Sequence, residues 1–325
     1  AALTSFVIPH LASLVALVSA LTACAAPPET EPPPEVWEEA SPQPDRIVLT
    51  WSGDPTTTQS VSWRTDTTVV SARAEVALAT PHPGFITSAR IVQATTETVD
   101  ARIVEGETVV ANFHTATFTG LLADTVYAYR VGDGEHWSEW FQFRTASPDP
   151  EPFSFIYFGD AQNDILSLWS RTIRSSVMRA PEARFMVHAG DLVNRAHRNS
   201  EWGEWTRAGG FLMAMIPSIP AAGNHEYRSY GEEDETRHLS IFWQPQFALP
   251  DNGPEGVDAE TAYFIDYQGV RIISLNSAGE PAAQTAWLEK VLSTNEQRWT
   301  IVTHHHPIFS ASGTRDNPEL REAWT

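Results

Sequence analysis

Between residues 153 and 303 short apolar runs alternate with stretches whose apolar residues recur at helical spacing. The runs at 153–158, 185–188, 219–222, 262–267, 270–275 and 299–303 read as strands; 164–179, 201–215 and 281–292 read as helices, the last from Trp287, Leu288, Val291 and Leu292. This order predicts an α/β domain whose helices cover a largely buried sheet. Four strands end in polar clusters, and in such folds ligands bind beyond the strand ends. The clusters are Gly159-Asp160-Ala161-Gln162, Gly190-Asp191-Leu192-Val193-Asn194, Gly223-Asn224-His225-Glu226 and His304-His305-His306-Pro307.

Gly-Asp alone says little, since Gly53-Asp54 and Gly132-Asp133 read as turns. At 159–160 and 190–191 the pair closes an apolar strand. Glycine permits a sharp exit, and aspartate supplies a hard anionic oxygen. Asn224 offers a neutral oxygen ligand, and histidine is a borderline ligand suited to Zn, Fe or Mn.

Upstream, residues 46–145 carry short alternating runs separated by turn residues. About seven strands in that length predict an all-β sandwich, with Tyr127 placed for a tyrosine corner. Its aromatic residues are expected in the core. A chain of 325 residues accommodates about two such domains. A net charge of −20 argues against a nucleic-acid or anionic-membrane surface.

The N-terminus reads as two further segments. An apolar stretch at 11–21 is shorter than the ~20 residues of a spanning helix and suits a signal-peptide core. Residues 25–44 hold seven Pro and five Glu, with no Gly and no basic residue. That composition predicts an extended tether. Cys24 is the only cysteine and excludes an intrachain disulfide. The small residues before it resemble a bacterial lipobox, which implies acylation of Cys24 and an extracytoplasmic protein held to a membrane by lipid. The expected boundaries are 1–23 (signal), 24–44 (tether), 45–146 (sandwich) and 152–325 (α/β domain, incomplete at its C-terminus). No Met or basic segment precedes the apolar stretch, so the N-terminus is also expected to be incomplete.

Together the clusters resemble those of the calcineurin-like metallophosphoesterases, and the two-domain order is similar to the purple acid phosphatase branch. The resemblance implies a fibronectin-III-like sandwich followed by an α/β metallophosphoesterase domain, itself a β-sandwich flanked by helices. It also implies two metal ions. Asp160 would bind the first and Asp191 would bridge both; Asn224 and His305 would bind the second. His225 would contact the leaving group or phosphoryl and Glu226 would orient it. His304 becomes a flanking packed residue, His306 a donor behind the ligands, and Arg315 a phosphate contact or a solvated surface residue.

Two positions depart from the family pattern. Gln162 stands where many relatives have a histidine ligand, and it offers an amide oxygen. Asn194 replaces the tyrosine that favours Fe(III), leaving a weak neutral ligand or a turn residue. A divalent pair of Mn, Fe or Zn is therefore expected. The resemblance further implies a Gly-His-x-His completing both metals, so the parent gene is expected to be longer and this chain to have little activity alone. The expected function is hydrolysis of small phosphate monoesters, with segment 230–256 setting specificity. Phosphodiester or nucleotide hydrolysis is the alternative within that class. A surface-binding protein with a degenerate hydrolase domain is the alternative outside it.

Overall fold

We describe the protein from a computed structural model covering residues 38–313 and 315–325. Eight strands build its first part: β1 (Asp45–Thr50), β2 (Gln59–Thr65), β3 (Arg73–Leu78), β4 (Arg90–Gln93), β5 (Thr95–Asp100), β6 (Val110–Phe118), β7 (Val126–Gly132) and β8 (Phe141–Arg144). They form two antiparallel sheets, β1-β2-β6-β5 and β4-β3-β7-β8. The edge strands β4 and β5 are mostly exposed and polar, which is why the alternation signal undercounts the strands. The tyrosine corner forms as expected, with Leu122 N–H donating to Tyr127 Oη at 2.8 Å.

The second part holds β9 (Ser154–Phe158), β10 (Ala183–His188), β11 (Ser218–Pro220), β12 (Tyr227–Arg228), β13 (His238–Leu239), β14 (Tyr263–Tyr267), β15 (Val270–Ser274) and β16 (Trp299–Thr303). Its helices are α1 (Ser170–Arg179), α2 (Asn199–Gly209), α3 (Trp243–Gln246), α4 (Pro281–Ser293) and α5 (Pro318–Trp324). Strands β11-β10-β9 run parallel, with Phe158, His188 and Pro220 in register at their ends. In the other sheet β15 pairs antiparallel with β14 and parallel with β16. Tyr157 and Thr303 hydroxyls, 3.1 Å apart, join β9 to β16.

Three expected boundaries shift for local reasons. The helix over 164–179 opens with a π-helical turn, Ile165–Trp169, entered from Asp164 in the left-handed conformation (φ 51°). The helix over 201–215 stops at Gly209 because Gly210 has φ 54°, a conformation that suits glycine. The strand over 219–222 ends at Pro220, and Ala221 to Gly223 instead carry the chain against Asp191.

The segment joining the domains is packed where it begins, while residues 148–152 are exposed. Ala146 is fully buried, and Ser147 N–H donates to Gln268 Oε1 at 3.1 Å. Trp51 of the sandwich lies 6.0 Å from Phe185 and 5.5 Å from Tyr267, centroid to centroid. Phe113 likewise meets Phe242 at 6.1 Å. Burying one such side chain contributes about 1.5–3 kcal/mol, so the two parts stabilise one another. Some sandwich aromatics are thus core as expected, but of a core shared by both parts.

The end of the expected tether is also bound to the fold. Ser41 O accepts from Asp66 N–H at 2.9 Å, and Glu38 O accepts from the Arg64 guanidinium at 3.2 Å. The signal segment, Cys24 and residues 24–37 lie outside the described residues. No helix among the described residues is long and apolar enough to cross a membrane.

Candidate metal centre

Because β9, β10 and β11 are parallel and β16 parallels β15, the polar clusters follow strand ends and converge. One ligand atom from each of Asp160, Asp191 and His305 lies within 4.8 Å of the others. Asp160 and Asp191 have φ 41° and 53°. Aspartate tolerates this left-handed region better than most residues. It turns each carboxylate sharply off its strand.

Two glycines allow the convergence. A Cβ on Gly190 would sit 2.8 Å from Gly223 backbone and 2.8 Å from His305 Cβ. A Cβ on Gly223 would sit 2.3 Å from Asp191 Oδ1 and 2.9 Å from His305 Cγ. Three loops therefore touch through positions that have no side chain. Asn224 follows directly, opening the 3-10 turn Asn224–Glu226; its carbonyl accepts from Arg237.

The hydrogen bonds fix the imidazole tautomers. His305 Nδ1 is 2.9 Å from Ala189 O, and a carbonyl only accepts, so Nδ1 carries the proton. Its Nε2 is left facing Asp191 Oδ2 at 3.2 Å. His225 is held the same way, Nδ1 to Asn194 O at 2.7 Å, with Nε2 3.9 Å from Asp191 Oδ2. Asn194 enters the site through this main-chain carbonyl, a role its side chain did not announce.

Asp191 Oδ1 accepts from His225 N–H at 2.9 Å, and Oδ2 accepts from Gln162 Nε2 at 2.8 Å. Burial alone would raise its carboxyl. The His305 hydrogen bond, the His225 N–H and the two imidazole charges outweigh that and hold it below the usual carboxylate range. Burial pulls His305 down, but the Asp191 hydrogen bond and charge prevail and raise it to about 8. The centre favours positive charge where His305 meets Asp191.

Glu226 differs from expectation. Its fully buried carboxylate accepts from Gly223 N–H at 2.7 Å and from Asp191 and Leu192 N–H, both at 2.8 Å. It therefore ties the Asp191 loop to the Gly223 loop, and Asn194 is what orients the His225 ring. Burial and the Asp191 charge push the Glu226 carboxyl up to about 7 against the pull of those N–H groups.

The remaining expected residues fall around this centre. His304 packs on Trp324 at 5.7 Å, with Nδ1 2.8 Å from His306 O. Ser277 Oγ accepts from His306 N–H at 2.9 Å and lies 3.0 Å from His306 Nδ1. No sequence signal singled out Ser277. Arg315 is exposed, on a turn its N–H closes to Ser312 O at 3.0 Å.

A cation suits these residues. Two carboxylates, an amide and an imidazole whose Nε2 becomes a donor on losing its proton make a ligand set suited to divalent transition metals. Gln162 Oε1 is buried without a hydrogen-bond partner, beside the Asp191 oxygen its amide group already meets. A buried acceptor with no donor costs about 1–3 kcal/mol, and a cation relieves it.

Comparison with known proteins gives a consistent result. The family profile described as "Purple acid Phosphatase, N-terminal domain" matches residues 44–145, and "Calcineurin-like phosphoesterase" matches residues 153–324. An uncharacterized Mycobacterium tuberculosis protein, Rv2577, is 27% identical over 338 residues, covering 90% of this chain and 60% of its own length. "Fe(3+)-Zn(2+) purple acid phosphatase 12" of Arabidopsis thaliana is 29% identical over 210 residues, covering 61% of this chain and 44% of its own. This chain thus spans less than two thirds of the length of either relative. Among solved structures, purple acid phosphatase PPD1 from yellow lupin (Lupinus luteus) seeds superposes with a TM-score of 0.70. That match is at 18% identity over 86% of this chain and 55% of that one, which is a likeness of fold.

Proposed function

The chain belongs to the calcineurin-like phosphoesterases, and from that premise we propose that its parent protein hydrolyses small phosphate monoesters with a pair of divalent metal ions. The observation that supports this reading is the meeting of Asp160, Asp191 and His305 ligand atoms within 4.8 Å at the ends of β9, β10 and β16. Asp160 and Gln162 Oε1 would hold the first ion, Asp191 would bridge, and Asn224 and His305 would hold the second. Bound there, such a pair lowers the pKa of water to about 7 and neutralises phosphate charge.

The protein's own residues do the rest. Ala189 O holds the His305 ring by Nδ1, so that Nε2, once its proton is displaced, would present a lone pair. Asn194 O holds the Nδ1 proton of His225, so that Nε2 faces the site and, in the imidazolium form, is the atom able to pass a proton to a departing oxygen. Glu226 keeps the Asp191 and Gly223 loops in register. Asn194 offers no phenolate, so the ions are Mn, Fe(II) or Zn and the protein is colourless. Cys24 anchors it outside the cytoplasm.

The test uses the full-length protein with Mn²⁺, Zn²⁺ or Fe²⁺ and measures metal content, the visible spectrum, and turnover of p-nitrophenyl phosphate and bis(p-nitrophenyl) phosphate. Metal-dependent monoester turnover that is lost in Asp191→Asn supports the proposal. Turnover unchanged by that substitution refutes it, and a charge-transfer band with stoichiometric Fe(III) refutes the metal assignment.

A further inference from the structure

A second cleft is bordered by the loops that lead away from this centre. The loop from Asp191 passes through Asn194, which holds His225, and continues into Arg195 to Arg198. The loop from Asn224 continues into Arg228 to Glu232. Both border a cleft of about 280 Å³ whose remaining wall is the sandwich loop at Val104 to Glu107. That volume lies just below the ~300–1,000 Å³ of pockets for whole drug-sized ligands, and suits one small organic group.

The cleft is firmly built. Glu105 N–H donates to Tyr230 O at 2.7 Å, and Glu105 Oε2 accepts from Glu232 N–H at 3.1 Å. Glu107 pairs with Arg198 at 3.3 Å and accepts from Asn199 N–H at 3.2 Å. Tyr230 stacks on His238 with centroids 4.2 Å apart and planes at 9°, and it meets His197 at 5.0 Å. The lining carries three carboxylates and three guanidinium groups, so an anion gains little there over water. A neutral ligand that offers hydroxyls as both donors and acceptors gains most.

We propose that this cleft is a leaving-group subsite for a polyhydroxylated alcohol about the size of one sugar ring, and that the sandwich loop helps select the substrate through Glu105. The inference rests on the phosphoesterase reading. Arg228, an exposed lining residue, and Glu105 supply the donor and the acceptor.

The test compares a hexose 6-phosphate with phenyl phosphate on the full-length wild type and on Glu105→Ala and Arg228→Ala. Each substitution is expected to raise KM for the sugar phosphate about tenfold and to leave both kcat and the phenyl phosphate KM unchanged. Equal effects on the two substrates, or none, overturn the subsite while the hydrolase reading stands. If no phosphate ester is turned over with any metal, the hydrolase reading fails instead. Ligand-observed NMR of the hexose 6-phosphate on EDTA-treated protein then reads the cleft without turnover. Sugar-proton contacts that vanish in Glu105→Ala support the subsite, and contacts absent from wild type or unaltered in the variant overturn it.

Discussion

Gly223→Ala isolates what the convergence of loops requires. Gly223 has φ −103° and ψ −173°, extended backbone that alanine adopts without strain, so any penalty is steric. The added Cβ would lie 2.3 Å from Asp191 Oδ1 and 2.6 Å from Asp191 N, whereas ordinary contact begins near 3.4 Å. A displacement of about 1.1 Å is needed; Asp191 Oδ1 is the end of a side chain but is held in place, and Asp191 N is backbone that cannot swing aside. Asp191 Oδ1 is bonded to His225 N–H and Asp191 N–H to Glu226. Overpacking costs about 1–3 kcal/mol, here at the upper end, and losing one of those bonds adds about 1 kcal/mol. The variant should lose about 3–4 kcal/mol, or about 4–7 °C in Tm at this chain length. Metal affinity, read by calorimetric titration of Mn²⁺, should fall about 10–100-fold, as when the supports of ligands are disturbed. Gly159→Ala is the matched control, because its Cβ meets nothing within 4 Å; it should stay within about 0.5 kcal/mol of wild type. A Gly223→Ala protein as stable as that control, with unchanged metal affinity, refutes the reasoning.

Other perturbations test the shared core and the electrostatics. Trp51→Ala should cost about 3–5 kcal/mol in urea unfolding, with both parts still melting in one transition; two separated transitions contradict a shared core. His188 is buried among Phe158, Trp169 and Trp205 with neither ring nitrogen partnered, and burial lowers its pKa from 6.5 to about 3. The unfolded chain therefore takes up a proton below pH 6.5 that the folded chain refuses until about pH 3, so stability is lost across that window as pH falls. At about 1.4 kcal/mol per pH unit, His188→Leu should gain roughly 2–3 kcal/mol more at pH 4.5 than at pH 8; an equal effect at both pH values contradicts burial as the cause. Mn²⁺ at 100 times its Kd should raise unfolding free energy by about 2.7 kcal/mol, reversed by EDTA. That gain should be absent in Asp191→Asn, and a gain that persists there places the ion elsewhere.

The strand-end clusters singled out Asp160, Asp191, Asn224, His225 and His305 in the sequence because each lies next to an apolar run whose period and length are local properties, and the ligand atoms of Asp160, Asp191 and His305 do meet. The fold class was legible for the same reason, through short alternation in the sandwich and strand–helix alternation after it. Tertiary structure decided what local pattern does not carry. Gly159-Asp160 and Gly190-Asp191 look alike as sequence, yet only Gly190 is pressed against another loop. Glu226 sits beside His225 in the chain but serves backbone N–H groups 30 or more residues away, because burial demands that its oxygens be satisfied. Asn194 contributes a carbonyl that every residue type possesses, and Ser277 reaches His306 across 29 residues with no motif to mark it. Residue type and spacing thus set which atoms are available for chemistry. Packing of distant loops set which of them face one another, since that depends on contacts no local stretch contains.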